Sequence, residues 1–339
     1  HRHDIGELVE AIYLWSEDMD NDGDLDIVVT TNKHPGTQPS DIAWFENRLN
    51  EELGWNKVLI RERTDPDAVI LTTGVVVADI NQDVHMDVIV GAGDFGLGIN
   101  GNVYWFKGPA DPTQGGAAWE KHSVVTNKAE FVSHVYCRDF DDDGDLDIIG
   151  SSAANDFIAL NPNDFTDPTA TWDIVVIAED AGVGMWIEDM NGNGNEDVLT
   201  TYYEENGNIA FFEIVYENDS FSFTRTNVDP VIDMPFDVAA ADFNDDNLMD
   251  VAVSVVDKAA GLTGPRKIFW YQAQNDGSYT QHLITDTTKP ADLYPGDIDA
   301  DGKTDIVTAA LFDNKVVWYH NETIGDTTSW SELIVDDSI

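Results

Sequence analysis

Short apolar runs recur along the chain, separated by stretches rich in Asp, Asn and Gly. One set, such as Ala11–Trp15, Gly74–Ala78 and Phe236–Ala240, precedes an acidic segment. A β-branched set follows it: Ile27–Thr30, Val88–Val90, Ile148–Ile149, Val251–Val255 and Ile306–Val307. A third set carries an aromatic signature, AWFEN at Ala43, YWFKG at Tyr104, AFFE at Ala210, FWYQ at Phe269 and VWYH at Val317. A fourth opens on an aromatic at Trp55, Trp119, Trp172, Tyr279 and Trp330. Runs this short, β-branched and aromatic, with turn residues between them and no helical period, predict antiparallel strands in groups of four.

The acidic segments are copies of one nine-residue pattern. DMDNDGDLD at Asp18 returns as DINQDVHMD at Asp79, DFDDDGDLD at Asp139, DMNGNGNED at Asp189, DFNDDNLMD at Asp242 and DIDADGKTD at Asp297. The starts are 61, 60, 50, 53 and 55 residues apart, each step long enough for one four-stranded propeller blade. From first start to last is 279 residues, which leaves 60 for the two ends together, one further period. The expectation is an all-β, single-domain β-propeller over residues 1–339 with six blades, seven being the alternative if a blade lies outside the chain.

Acidic or amide side chains at positions one, three and five, a carbonyl at seven and a carboxylate at nine place oxygens around one point. That donor set suits calcium, which takes six to eight oxygens at about 2.3–2.6 Å. The first loop offers Asp18, Asp20, Asp22 and Asp26, with Asp24 at position seven; the third offers Asp139, Asp141, Asp143, Asp145 and Asp147. The sixth offers Asp297, Asp299, Asp301 and Asp305 with Lys303 at seven, and the fifth Asp242, Asn244, Asp246 and Asp250 with Leu248 at seven. The fourth, Asp189, Asn191, Asn193, Asn195 and Asp197, has fewer charged donors and is expected to bind more weakly. The second has Asp79, Asn81, Asp83 and Asp87, but Val84 stands at position six, where a left-handed backbone is wanted and a β-branched residue resists it. Up to six calcium ions are expected, with the site at 79–87 the doubtful one. An EF-hand needs Glu at position twelve between helices; here that position is Val29, Val90, Gly150, Thr200, Val253 or Thr308, so that reading is rejected.

Loops and aromatic third strands together resemble FG-GAP/VCBS repeats, as in the propeller of integrin α subunits and in many secreted bacterial proteins. The resemblance covers nearly the whole chain and implies a calcium-binding propeller. It implies much less about activity, because the same scaffold serves adhesion receptors, fungal sugar-binding lectins, some polysaccharide lyases and aldos-2-ulose dehydratase.

The charge balance narrows the partners. With 65 Asp and Glu against 17 Lys and Arg the net charge is −48, a field that repels nucleic acid and anionic lipid and attracts cations. No apolar run approaches the length needed to span a bilayer, so neither nucleic acid nor membrane insertion is expected. Cys137 is the single cysteine, which forbids an intrachain disulfide; a secreted protein without one needs another staple, and bound metal is a candidate. Beginning at His1 rather than Met, the chain reads as a processed form or an excerpt, and Asn218 and Asn321 head Asn-x-Ser/Thr acceptor sequences. Secretion, or a place at the cell surface, is the expected location.

Counting back one, three and five residues from each loop start compares the predicted innermost strands, on which alternate residues share a face. Blade two gives Gly74, Val76 and Ala78, plain packing. Blade one gives Tyr13, Trp15 and Glu17, blade three His134, Tyr136 and Arg138, and blade four Trp186 and Glu188. Blades five and six add Asp237, Asp292 and Tyr294. Rings that stack on a pyranose and polar groups that meet its hydroxyls are what a sugar site uses, and blade-to-blade packing uses the same residue types. A sharper reading makes His134, Tyr136 and Arg138 an eliminating trio, Arg138 neutralising a uronate while His134 or Tyr136 removes the α-proton. The Gly/Pro-rich stretches Pro35–Ser40, Gly91–Gly101, Gly108–Ala117 and Gly261–Pro265 are expected as surface loops. The reading favoured is a binding or adhesion module for carbohydrate or a cell-surface protein. A polysaccharide lyase or sugar dehydratase, and a structural subunit of a surface assembly, are the alternatives.

Overall fold

The computed structural model describes residues 5, 6, 8, 11–31, 39–49, 54–69, 71–94, 99–162, 165, 171–179, 182–204, 206–256, 266–310, 313, 315–323 and 329–336. Two compact units divide the chain at Glu179 and Asp180. The first holds blade one, β1–β4 (Ala11–Glu17, Asp26–Thr31, Ile42–Arg48, Gly54–Arg61), and blade two, β5–β8 (Thr72–Ala78, Asp87–Asp94, Ile99–Lys107, Glu120–Glu130). Blade three, β9–β12 (Val132–Arg138, Asp147–Ser152, Asn155–Leu160, Asp173–Glu179), completes it. The second holds blade four, β13–β16 (Met185–Glu188, Asp197–Thr201, Gly207–Glu217, Ser220–Ile232), and blade five, β17–β20 (Pro235–Ala241, Asp250–Val256, Arg266–Ala273, Tyr279–Thr285). Blade six is β21–β24 (Leu293–Gly296, Asp305–Ala310, Lys315–Asn321, Trp330–Asp336). Every blade is an antiparallel sheet paired in chain order. The fold class is therefore all-β, a β-propeller of six four-stranded blades, as the repeat predicts.

Burial explains the sequence pattern. The second strands β10, β14 and β18 are buried along their whole length, which is why their apolar residues fall side by side instead of alternating with exposed polar ones. Strand β16, at a blade edge, alternates instead between exposed and half-buried residues over most of its length. Between strands of neighbouring blades lie the cores. On β5, Val75 and Val77 pack with Val28, Trp44 and Ile60 of blade one, whereas Val76 turns to Val135, Ile148 and Phe157 of blade three. In the second unit Val238 and Ala240 face Leu199, Ile209 and Phe211, while Ala239 faces Leu293, Ile306 and Tyr319. Among the described residues no helix is long and apolar enough to cross a membrane.

Two of the expected surface loops prove to be structural. Gly91–Asp94 and Ile99–Gly101 belong to β6 and β7. The stretch before β8 is clamped to blade one: Arg61 donates to Gly116 O and, at 2.6 Å, to Trp119 O, and Trp119 is fully buried. Of Pro35–Ser40 only Pro39 and Ser40 are described, and Gly261–Pro265 lies outside the described residues. Asn321 is buried, its amide donating to Phe243 O and Thr304 O at 2.8 and 2.9 Å, so it is not available as a glycosylation acceptor. Asn218 sits in the turn between β15 and β16.

Blades approach closely five residues before the second and fourth loops. A Cβ on Gly74 would come 2.9 Å from Ser133 O of blade three, and one on Gly184 would come 2.7 Å from Phe236 O and 2.8 Å from Asp237 Cα of blade five. Both glycines leave room for the backbone of the next innermost strand. Gly184→Val is therefore expected to cost about 1–3 kcal/mol through overpacking, measured as a fall in the urea unfolding free energy with the slope unchanged.

Candidate functional site

All six acidic loops fold alike. The carboxylate at position one accepts N–H groups from positions five and six, as Asp18 does from Asp22 and Gly23 at 3.0 Å each. The side chain at five accepts from seven, as Asp22 does from Asp24 at 3.0 Å. These contacts return around Asp79, Asp139, Asp189, Asp242 and Asp297. They wind the chain so that position six takes a left-handed backbone throughout: Gly23, Val84, Gly144, Gly194, Asn247 and Gly302 all have φ between 65° and 95°. Val84 thus adopts the conformation its branched side chain disfavours. Position four is left-handed as well, at Asn21, Gln82, Asp142, Gly192, Asp245 and Ala300, a feature nothing in the residue types announces.

Position nine anchors the loop to its blade. Asp26 accepts Met19 N–H at 3.1 Å with Oδ2 and Asn47 N–H, beyond the third strand's aromatic, at 2.7 Å with Oδ1. Asp87, Asp147, Asp250 and Asp305 repeat both contacts, to Ile80 and Gly108, Phe140 and Asn161, Phe243 and Ala273, and Ile298 and Asn321. Asp197 accepts from Met190 at 3.0 Å, but its Oδ1 has no partner. In blade four the third strand runs on to Glu217, and Ile214 there is paired with Phe223 of β16. All six of these aspartates are buried. Burial pushes Asp26 up to about 6, and Asp87, Asp147, Asp197 and Asp250 up to about 7.

The donor set fits a hard cation. Asp20 Oδ1, Asp141 Oδ1 and Asn244 Oδ1, all at position three, are buried and lack a hydrogen-bond partner. Burial, then repulsion from Asp22 and Asp143 respectively, raises the Asp20 and Asp141 carboxyls above their usual range. Ligand atoms of Asp18, Asp20 and Asp22 lie within 4.8 Å of one another, as do those of Asp139, Asp141 and Asp147, and of Asp297, Asp299 and Asp305. Calcium, when bound, would supply the positive charge these oxygens share.

Third strands add one residue to each loop, two places beyond the central hydrophobic of the aromatic signature: Glu46, Lys107, Leu160, Glu213, Gln272 and His320. Glu213 accepts from Asn193 Nδ2 at 2.7 Å. His320 Nε2 lies 3.3 Å from Asp299 and 3.6 Å from Asp301. Lys107 Nζ lies 2.7 Å from Asp83 Oδ2. Burial works against it, yet the hydrogen bond from Lys107 holds the Asp83 carboxyl below its ordinary range, and the same bond raises Lys107. The motif does not contain this residue, and counting from the loop misses it because the second and third strands differ in length. Counting from the aromatic finds it.

The innermost-strand residues separate into different settings. In the first unit Tyr13 and Trp15 are half-buried and pack on the blade one–two core, Trp15 reaching the blade two–three core as well, with Glu17 half-buried beside the loop. His134 and Tyr136 stack nearly parallel, centroids 6.4 Å apart; Arg138, on the same face, is exposed and donates to Cys137 O at 2.8 Å. Cys137 is buried, which pushes its thiol up to about 12.

In the second unit Trp186 of blade four meets Tyr294 of blade six edge-on, centroids 5.8 Å apart, with Ala239 of blade five on the same rung of the innermost strands. Tyr294 is 60% exposed. One rung away, Asp237 and Asp292 form an acidic pair. Asp237 is buried and accepts Leu293 N–H at 2.7 Å. Burial and then repulsion from Asp292 raise it well above the usual range. Arg266, which sequence reading did not single out, lies buried 4.5 Å from the Phe236 ring centroid and donates to Pro290 O at 2.8 Å. Glu188 is half-buried at the end of β13, its carboxylate 3.4 Å from Asp189 N–H.

Burial, opposed by Arg266, pushes Asp292 up from 3.8 to about 6. A raised folded-state value means that its stabilising contribution is full below about pH 4 and is lost as pH rises through 6. Asp292→Asn, always neutral, should therefore gain on wild type by about 1–3 kcal/mol between those limits, read from unfolding free energies near pH 4 and near pH 7. At the loops, Asp250→Ala strands the N–H groups of Phe243 and Ala273, whereas Asp197 has one oxygen already unpartnered. Asp250→Ala should cost about 1–3 kcal/mol more than Asp197→Ala in urea denaturation with chelator present.

Residues 18–90, which take in the first two loops, match the FG-GAP-like repeat family. No curated protein matches the chain. Among solved structures it is similar to the V. cholerae biofilm matrix protein Bap1 (16% identity, TM-score 0.44), covering 79% of this chain and 38% of that one. It is also similar to the six-bladed fucose-recognising lectin of Aleuria aurantia (11%, TM-score 0.43, 98% and 97% covered). A third likeness is to the Coprinopsis cinerea GH62 α-L-arabinofuranosidase catalytic domain (10%, TM-score 0.39, 81% and 92%). The chain spans well under half the length of the matrix protein. The repeat match over residues 18–90 and the six four-stranded blades together support an FG-GAP-repeat β-propeller.

Proposed function

We propose that the chain is an extracellular binding module for carbohydrate, stabilised by calcium in its acidic loops. The observation that carries the carbohydrate reading is the Trp186–Tyr294 pair, exposed at Tyr294 and set one rung from the Asp237–Asp292 pair. An aromatic face beside the half-buried Asp292 carboxyl suits a sugar ring, the rings stacking on its C–H face and the carboxyl meeting its hydroxyls. Calcium has a structural role in this reading: a loop saturated a hundredfold over its dissociation constant gains about 2.7 kcal/mol. Net charge of −48 and a single, buried cysteine are consistent with a calcium-rich, oxidising medium outside the cell.

The eliminating trio is the second reading, favoured by His134, Tyr136 and Arg138 sharing one face of β9. One experiment separates the two. The full chain in calcium buffer is titrated with neutral and acidic polysaccharides, following heat of binding and the ultraviolet absorbance of unsaturated uronate. Saturable binding with flat absorbance, weakened about tenfold or more in Tyr294→Ala, is expected, together with a lower melting temperature in chelator. A rise in absorbance that vanishes in Arg138→Ala would replace binding by lyase chemistry, and heat-silent titrations across the panel would remove the carbohydrate reading.

A further inference from the structure

Loop two is unlike the others in two respects. Its position six is Val84 rather than Gly or Asn, and its position-five carboxylate, Asp83, has an ammonium 2.7 Å away, that of Lys107 at the end of β7. The branched residue does not spoil the loop. Val84 sits at φ 71° with its N–H 2.9 Å from Asp79 Oδ2, and Asp83 N–H reaches Asp79 Oδ1 at 3.0 Å, the contacts every other loop makes. Position nine is also in place, Asp87 accepting from Ile80 and Gly108. The oxygens at positions one, five and nine are therefore arranged as in the other loops, and what loop two adds is the lysine.

Loop five supplies an internal comparison. Its donors Asp242, Asn244, Asp246 and Asp250 are the same residue types in the same order as Asp79, Asn81, Asp83 and Asp87. The residue that the third strand presents is Gln272 there and Lys107 here. A calcium ion held by Asp83 at about 2.3–2.6 Å would stand close beside a fixed positive charge bonded to the same carboxylate, in a partly buried setting where repulsion is weakly screened. Lys107 is the only Lys or Arg at this register in the six blades.

We propose that the Lys107 ammonium takes the place of the divalent ion in loop two, closing that loop from within the chain and keeping it free of calcium while other loops fill. The proposal rests on the calcium reading above. It makes loop two the one acidic loop whose closure survives chelation, and it identifies Lys107 as the residue that sets how many ions the chain carries.

The test counts ions. Native mass spectrometry of the full chain in calcium should show one more bound ion in Lys107→Gln, which gives loop two the constellation of loop five, than in wild type. Lys107→Arg, which keeps the charge, should stay at the wild-type count, and Asp83→Asn added to Lys107→Gln should abolish the extra ion. Circular dichroism confirms folding, with Lys107→Met as the substitute if the Gln variant does not fold. An unchanged count in the folded variant while wild type binds calcium would overturn the role of Lys107 alone. No ions in either protein would overturn it together with the calcium reading.

Discussion

One buried carboxylate per blade holds the rest in place. Where an acidic loop enters its second strand, two backbone N–H groups point inward with no strand partner, one from the second residue of the loop and one from beyond the third strand's aromatic. The aspartate at position nine takes both, and in doing so it fixes the loop over the hairpin and sets which third-strand residue faces it. Burying a carboxylate is costly unless it is paired or hydrogen-bonded, and at five of the six loops two backbone N–H groups hydrogen-bond it. A cation at the loop would act on the same charge. Metal, turn and blade are then parts of one electrostatic arrangement.

The same rung of the innermost strands does different work in different blades. Gly74 and Gly184 admit the next strand's backbone, while His134, Asp237 and Asp292 occupy the equivalent places in blades three, five and six. One rung further on, Ala239 stands where Trp186 and Tyr294 carry their rings in the adjacent blades. Repetition of a scaffold with one rung varied lets a chain of near-identical units present a single unlike surface.

Much of this was legible in the residues. The loop pattern and the β-branched and aromatic runs specified strands and blades, because period-two burial and loop chemistry are local. Val84 was rightly marked as a departure, yet the backbone follows the hydrogen bonds of Asp79 rather than the preference of a branched side chain. The left-handed fourth position was hidden because Asn, Gln, Asp, Gly and Ala all occupy it. Lys107, His320 and Arg266 were hidden for another reason: each meets its carboxylates or backbone partners through strand pairing across a long stretch of sequence. Asn321 shows the converse, a surface-modification sequence whose asparagine is spent on tying blade six to the loop of blade five.

Among the described residues every strand pairs only with its neighbours in its own blade, in chain order. No blade lends a strand to another, so duplication or loss of a whole repeat leaves every remaining ladder in register. What such an event disturbs is a short set of junction residues: the Asn161 and Asn321 amides, each reaching the preceding blade's loop carbonyl at 3.0 and 2.8 Å, and the glycines that face a neighbour's backbone. Copy number in this architecture is thus an evolvable quantity, governed by the compatibility of seams rather than by the folding of the repeats themselves.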